Sequence, residues 1–342
     1  MAHCTDDSSL RARPPARPDD SAAACRSERV AHYTLERKLG DGRMGPLYLA
    51  QDTELKRLTA LRLISDRLAA DPKFMARLDQ NIRAASKLHH ASIAVTYGAG
   101  VDPGRGRVFI TTEFCPGEPL SVILARCGRL EFRDALNLGI QVCRALSYMH
   151  SRAIIHGEIK PSNVILDPCG AARVLDCGLP TSGNMTETAS TTSTQTGKSL
   201  GASQYISPEA VRGEKLDVRA DVYSVGAMLF HLMTGENPFC APDIPTLVLK
   251  QLYEEPRNAH AVHACVPESV AAVLSKTMAK SPDERYVDCA ELLEEFERVR
   301  EGRPASQRLI PVKPTADANE KSKLIRSGFS QKLMAVLKNF QF

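Results

Sequence analysis

The chain has 342 residues, 43% of them apolar and 25% charged, with a formal net charge of +4. That length and balance supply enough apolar mass for two packed lobes and exclude a chain too polar to fold. A charge this small and this evenly spread also argues against nucleic acid as a partner.

In chain order, residues 1–31 are rich in Arg, Pro, Ala, Asp and Ser without apolar periodicity, which predicts a disordered arm. They hold no apolar core flanked by a cleavage site, and no later run reaches the length of a membrane span. The nearest, Val222 to Met233, reads as a buried helix, so a cytoplasmic chain is expected. Order is expected from the strand at Tyr33-Thr34-Leu35 and runs into Gly40-x-Gly42-x-x-Gly45. Strand-like runs follow at Leu47–Ala50 and Thr59–Ile64. A helix is then predicted from Phe74, Leu78, Ile82, Ala85 and Leu88 at helical spacing. Ile93–Tyr97 and Val108–Glu113 are further strand candidates. After Pro116-Gly117 the pattern turns helical, over 133–150, 221–234 (stopped by Gly235), Val270–Lys280 and Ala290–Arg300.

The ten cysteines form no C-x-x-C pair, which predicts reduced thiols serving as small apolar residues. His260 and His263 could be imagined as metal ligands, but they match no established ligand spacing and carry little weight as a metal site. Glycines at 40, 42 and 45 let a backbone approach phosphates without Cβ clashes, although a glycine-rich hairpin turn is the bland alternative.

The most informative stretch is His156-Gly157-Glu158-Ile159-Lys160-Pro161-Ser162-Asn163, followed by Asp176-Cys177-Gly178. It resembles the catalytic and metal-binding loops of the protein-kinase family, whose patterns are H-R-D-x-K-x-x-N and D-F-G. Gln204-Tyr205-Ile206-Ser207-Pro208-Glu209, Asp221-Val222-Tyr223-Ser224 and Asp283-Glu284-Arg285-Tyr286 extend the likeness in the right order, closest to the bacterial Ser/Thr branch. The resemblance covers roughly residues 33–300. It implies an α+β bilobal kinase fold, with a strand-rich lobe over 32–115 and a helical lobe over 116–301.

The resemblance further implies ATP and Mg²⁺ as cofactors. Gly40, Gly42, Gly45, Leu47, Ala60, Arg62, Glu113, Cys115 and Ile165 would contact the nucleotide. Asn163 and Asp176 would hold the metal, and Glu158 and Lys160 would stand at the catalytic positions. Glu209 is expected to pair with Arg285, and Asp221 to brace the catalytic loop.

Six positions depart from the family pattern. Arg62 replaces a lysine with a bulkier, planar cation, and Asn81 stands where that lysine's glutamate partner belongs. Gly157 replaces an arginine, Glu158 replaces the catalytic aspartate with a longer carboxylate, and Ala202 lacks a hydroxyl. A misplacement of about 1 Å can cost about a hundredfold in rate. Cys177, smaller than the family's phenylalanine, predicts a looser link to the helix of the small lobe.

Residues 179–200 are loaded with hydroxyls, as a phosphorylatable loop or a solvated segment would be. Residues 302–320 read as a linker. In 321–342, an apolar stripe from Leu324 to Phe340 is ringed by Lys321, Lys323, Arg326, Lys332 and Lys338. Such a helix fits an anionic membrane surface, a partner's groove or the large lobe itself. Two functions are compatible with these residues. One is a pseudokinase that binds nucleotide and regulates a partner protein, another kinase among the candidates. The other is an atypical Ser/Thr kinase using Glu158 as base.

Overall fold

The computed structural model describes residues 28–180 and 204–306. The arm up to residue 27, residues 181–203 with Ala202, and residues 307–342 with the basic segment lie outside the described residues. Packing divides the chain into two units, each with its own core.

The first unit comprises the chain up to Ile123 together with Ser151–His156 and Pro161–Pro180. Its main sheet contains β1 (Arg29–Val30), β2 (Tyr33–Gly42), β3 (Gly45–Asp52), β4 (Arg57–Leu63), β5 (Thr96–Val101) and β6 (Val108–Glu113). The spatial order is β1-β2-β3-β4-β6-β5, with every pairing antiparallel. One face buries Val30, Tyr33, Leu35, Ala50, Leu61, Leu63 and Phe109 as a cluster. Each large apolar side chain removed from water there contributes roughly 1.5–3 kcal/mol.

Two helices follow β4: α1 (Asp66–Ala69) and α2 (Pro72–Ala85). Asp71 caps α2 by accepting from Lys73 N, and Pro72 occupies a position where its missing N–H costs nothing. Phe74, Leu78, Ile82 and Ala85 form its buried stripe, as their spacing predicts. A small second sheet joins β7 (Glu118–Pro119), β8 (Val164–Leu166) and β9 (Ala172–Val174).

Three boundaries differ from the sequence reading. Arg29 and Val30, assigned to the arm, pair with Thr34 and Tyr33 because Val30 seals the edge of the core. The strand expected at 93–97 begins instead at Thr96, and Ile93 makes only an isolated bridge with Val174. Residues 92–94 are instead held by Val174, with Val174 N donating to Ser92 O and Ala94 N to Val174 O. The packing also does not follow a single cut after residue 115. The β8–β9 hairpin joins the first unit by pairing with β7 at Glu118–Leu166.

The second unit comprises Leu124–His150, Gly157–Lys160 and the described residues from Gln204 onward. Helix α3 (Leu120–Cys127) leads into it, followed by α4 (Phe132–His150), α5 (Pro208–Val211) and α6 (Val218–Thr234). Then come α7 (Ile244–Tyr253), α8 (Ala259–Val262), α9 (Glu268–Thr277) and α10 (Cys289–Arg300). Helix α6 is buried on nearly all sides, which explains its unbroken apolar run. Close crossings there rely on small residues. A Cβ on Gly139 would meet Leu229 at 2.6 Å, and one on Gly226 would meet Thr277 Oγ1 at 1.9 Å. Among the described residues no helix is long and apolar enough to cross a membrane.

The expected Glu209–Arg285 pair is present as a two-pronged contact, with Nη1–Oε1 at 2.7 Å and Nη2–Oε2 at 2.8 Å. Arg285 Nε also donates to Ala279 O at 2.8 Å, so the buried guanidinium is well satisfied. Removing one partner of such a pair strands the other charge in the interior. Arg285→Ala is therefore expected to destabilise the second unit by about 3–5 kcal/mol, read as a shift of the urea midpoint.

Candidate active site

Arg62 projects from β4, where its neighbours Leu61 and Leu63 are buried and where it pairs in register with Leu47 of β3. Its side chain is only 10% exposed. A single guanidinium nitrogen, Nη2, spans the Asp176 carboxylate, 2.9 Å from Oδ2 and 3.1 Å from Oδ1. Nη1 packs beneath the glycine-rich turn, where a Cβ added at Gly42 would lie 2.3 Å from it. The turn itself is folded onto the end of β4. Ser65 N donates to Met44 O at 2.9 Å, Met44 is buried, and a Cβ on Gly45 would meet Leu63 O at 2.0 Å. Gly45 has φ +135°, a region that side-chain-bearing residues avoid.

Asp176 is fixed by its surroundings as well as by Arg62. Its φ is +55°, left-handed backbone that aspartate tolerates better than most residues. On the approach to it, His156 Nε2 donates to Leu175 O at 2.8 Å and Leu175 N donates to Asn163 O at 2.8 Å. Asn163 lies in a 3-10 turn, Pro161–Asn163, and is buried. Cys177 is buried with its thiol 3.6 Å from Val174 O. Contact with α2 passes through Gly178, whose missing Cβ would lie 3.1 Å from Ala85. The backbone of the loop therefore packs on the helix directly, where the sequence suggested a looser link. Asn81, within α2, brings no charge to offer Arg62.

The remaining nucleotide candidates line the same unit. Ala60 is buried between Leu49 and Thr112 in the sheet, while Leu47 and Ile165 are half-buried and Gly40 is exposed. Glu113 closes β6; its carboxylate takes a hydrogen bond from Val95 N at 3.0 Å and an ion pair with Arg173. Burial pushes the Cys115 thiol up to about 11, with the Glu113 charge adding to the effect, so it stays neutral. All nine nucleotide candidates and both metal candidates belong to the first unit.

Glu158 and Lys160 belong to the second unit, with the carboxylate 2.5 Å from the ammonium. Both side chains are partly exposed, at 25% and 18%, so solvent screening leaves this pair modest in energy. Gly157 adopts φ +70°, where an arginine would carry a strain of about 1–3 kcal/mol. Asp221, fully buried, braces this loop as expected. Its Oδ1 accepts from Gly157 N at 2.7 Å and its Oδ2 meets His150 Nε2 at 2.8 Å. Burial alone would pull the His150 imidazole down, but hydrogen bonds with Asp221 and Cys289 outweigh it and hold the pKa near 10.

The residue types at 163 and 176 suit a hard, oxygen-seeking cation. Here Arg62 engages both Asp176 oxygens, so a cation at this site would share the carboxylate with the guanidinium. A cation within about 4 Å of both groups would be repelled by the guanidinium and attracted by the carboxylate by about 4 kcal/mol per unit charge each, at an effective dielectric of about 20, so the pair largely cancels the pull that a lone aspartate would exert.

Three residues with a part in this geometry carry no motif of their own. Met44 stands between two glycines of the turn, Arg173 alternates outward on β9, and His150 ends α4. Only His150 had a usable signal, six residues ahead of His156 at the end of an amphipathic helix.

Residues 33–295 match the model of the family described as Protein kinase domain. The chain belongs to that family. It is 34% identical over 272 residues to serine/threonine-protein kinase PknB of Mycolicibacterium smegmatis, covering 79% of this chain and 43% of that one. With serine/threonine-protein kinase PrkC of Bacillus subtilis it shares 34% over 254 residues, 74% of this chain and 38% of that one. The chain thus spans less than half the length of these curated relatives. Among solved structures, the kinase domain of Mycobacterium tuberculosis PknI superposes with a TM-score of 0.64 at 25% identity. That match covers 82% of this chain and 100% of the other. The bacterial-type Ser/Thr kinase family and its fold are therefore shown, and family members in general use ATP with Mg²⁺.

The glycine turn provides a direct check on this geometry. Gly45→Ala is expected to cost at least about 1–3 kcal/mol in chemical denaturation, from its backbone conformation alone. Gly40→Ala, with nothing within 4 Å of the added Cβ, is expected to stay within about 0.5 kcal/mol of the parent.

Proposed function

We propose that this protein is a nucleotide-binding regulator on the kinase fold, a pseudokinase that signals to a partner protein through shape. The observation that carries this reading is the salt bridge from Arg62 to Asp176. A guanidinium held on the aspartate, beneath the glycine turn, turns a metal-handling carboxylate into half of an internal ion pair. The exchange of Asn81 for the family's glutamate fits the same reading, since the β4 cation finds its partner at Asp176. Leu47, Ala60, Cys115 and Ile165 offer apolar surface for a base, and Arg62, lying against Gly42, offers a cation for a phosphate. A partner that reads this unit, such as another kinase, would sense whether the site is filled. A cytoplasmic setting suits such a role.

The second reading, a slow Ser/Thr kinase, rests on Glu158, which keeps a partly exposed carboxylate. Against it stands the ion pair with Lys160. That contact engages one oxygen of the carboxylate and the ammonium that would otherwise face the transferred phosphate, and a base acts only where its carboxylate meets the attacking hydroxyl.

Intact-mass measurement of the full chain after incubation with Mg²⁺-ATP separates these readings. The hydroxyls of 181–200 supply many internal acceptors, so slow transfer would leave mass steps. The regulator reading expects none in the parent. It expects steps in the triple variant Arg62→Lys, Asn81→Glu, Glu158→Asp. Phosphates on the parent that disappear with Asp176→Ala would overturn it.

A further inference from the structure

We infer that Arg62 is a tethered counter-ion that takes the place of a divalent cation on Asp176, so that nucleotide binds this chain without metal. The inference rests on the nucleotide-binding reading above and deepens it. Three observations carry it. Nη2 of Arg62 contacts both oxygens of the one carboxylate, leaving neither free of a cation. Nη1 lies against Gly42, inside the turn whose backbone would face phosphates. The side chain is held there, since the turn is pinned by Ser65 N to Met44 O and by the close approach of Gly45 to Leu63.

A metal ion and a guanidinium do the same electrostatic work for a polyphosphate in different ways. Mg²⁺ needs near-octahedral oxygen ligands and bridges a carboxylate to the phosphates. Arginine needs no ligand sphere, cannot be deprotonated in a protein and presents a fan of N–H groups that can donate to carboxylate and phosphate together. With Nη2 on Asp176 and Nη1 under the glycines, the guanidinium joins the carboxylate to the phosphate-facing backbone. Asp176 changes role accordingly. It holds Arg62 in place, and it competes with phosphate for the same cation.

That competition yields an outcome opposite to the one a metal-using site would give. In a site that recruits metal through Asp176, Asp176→Asn weakens ATP. Here the substitution releases Arg62 toward the phosphates, and ATP should bind about tenfold tighter in EDTA; because Arg62 loses its partner, a thermal melt of the variant with and without ATP accompanies the titration. For the unsubstituted full chain, calorimetric titration with ATP should give dissociation constants within about twofold in EDTA and in Mg²⁺. The parent should leave the free Mn²⁺ signal unchanged in electron paramagnetic resonance, whereas Arg62→Gln should bind Mn²⁺ and lose it again when combined with Asp176→Asn. Binding of ATP by the parent that disappears in EDTA, uptake of Mn²⁺ by the parent at Asp176, or an Arg62→Gln variant that gains no Mn²⁺ would each overturn the inference. Failure of ATP and ADP to bind in either buffer would instead sink the nucleotide reading, and the Mn²⁺ titrations would still decide the role of Arg62.

Discussion

The geometry of the first unit turns on one ion pair, Arg62 with Asp176. Asp176 is kept in left-handed backbone by the chain on either side of it, and Arg62 by a strand whose neighbouring residues are buried. Because both ends are rigid, the charge between them is preorganised. The glycine turn then closes over the guanidinium in a way only glycine permits at 42 and 45. A lysine in place of Arg62 would offer a compact, mobile point charge; the planar group reaches the carboxylate and the turn at once. The unusual residue at 62 and the neutral residue at 81 are thus two aspects of one arrangement, in which the aspartate has replaced a glutamate as the partner of the β4 cation.

The second unit shows the same economy around Asp221. One buried carboxylate holds both the backbone of Gly157 and the imidazole ring of His150, tying the start of the catalytic loop to the end of α4. Nothing in this bracing depends on the residue type at 158. The loop can therefore keep its path while its acid is lengthened to glutamate and turned toward Lys160. Gly157 adds to this independence, since a glycine at φ +70° relaxes a position where any other residue would be strained. Scaffold and chemistry are separable in this loop, which is how a chain can keep a kinase fold while changing what it does.

Much of this was legible in the sequence. Periodicity placed α2 and α6, and the motif order placed Glu209 with Arg285 and Asp221 under the catalytic loop, because each depends on residue types whose partners are few. The start of β5 was not legible. Its glycines weaken any strand signal, and its pairing with β6 carries a register shift between Thr96 and Gly98 that no pattern of residue types announces. Substitution at 62 was visible, but its consequence was not. The reach of a guanidinium to Asp176, 114 residues away, follows from tertiary packing alone. Likewise, the pairing of Glu158 with Lys160 needs the turn of the loop, which no pattern of residue types encodes.

The central claim is that this chain binds ATP and leaves it intact. The most direct measurement is a single-turnover experiment with γ-labelled ATP and the full chain in excess, quenched over time and followed for label on ATP, on protein and in free phosphate. The account predicts label that is retained by the protein on rapid filtration and recovered wholly as ATP after quenching. Label moving to the protein or into free phosphate within the lifetime of the complex would contradict it.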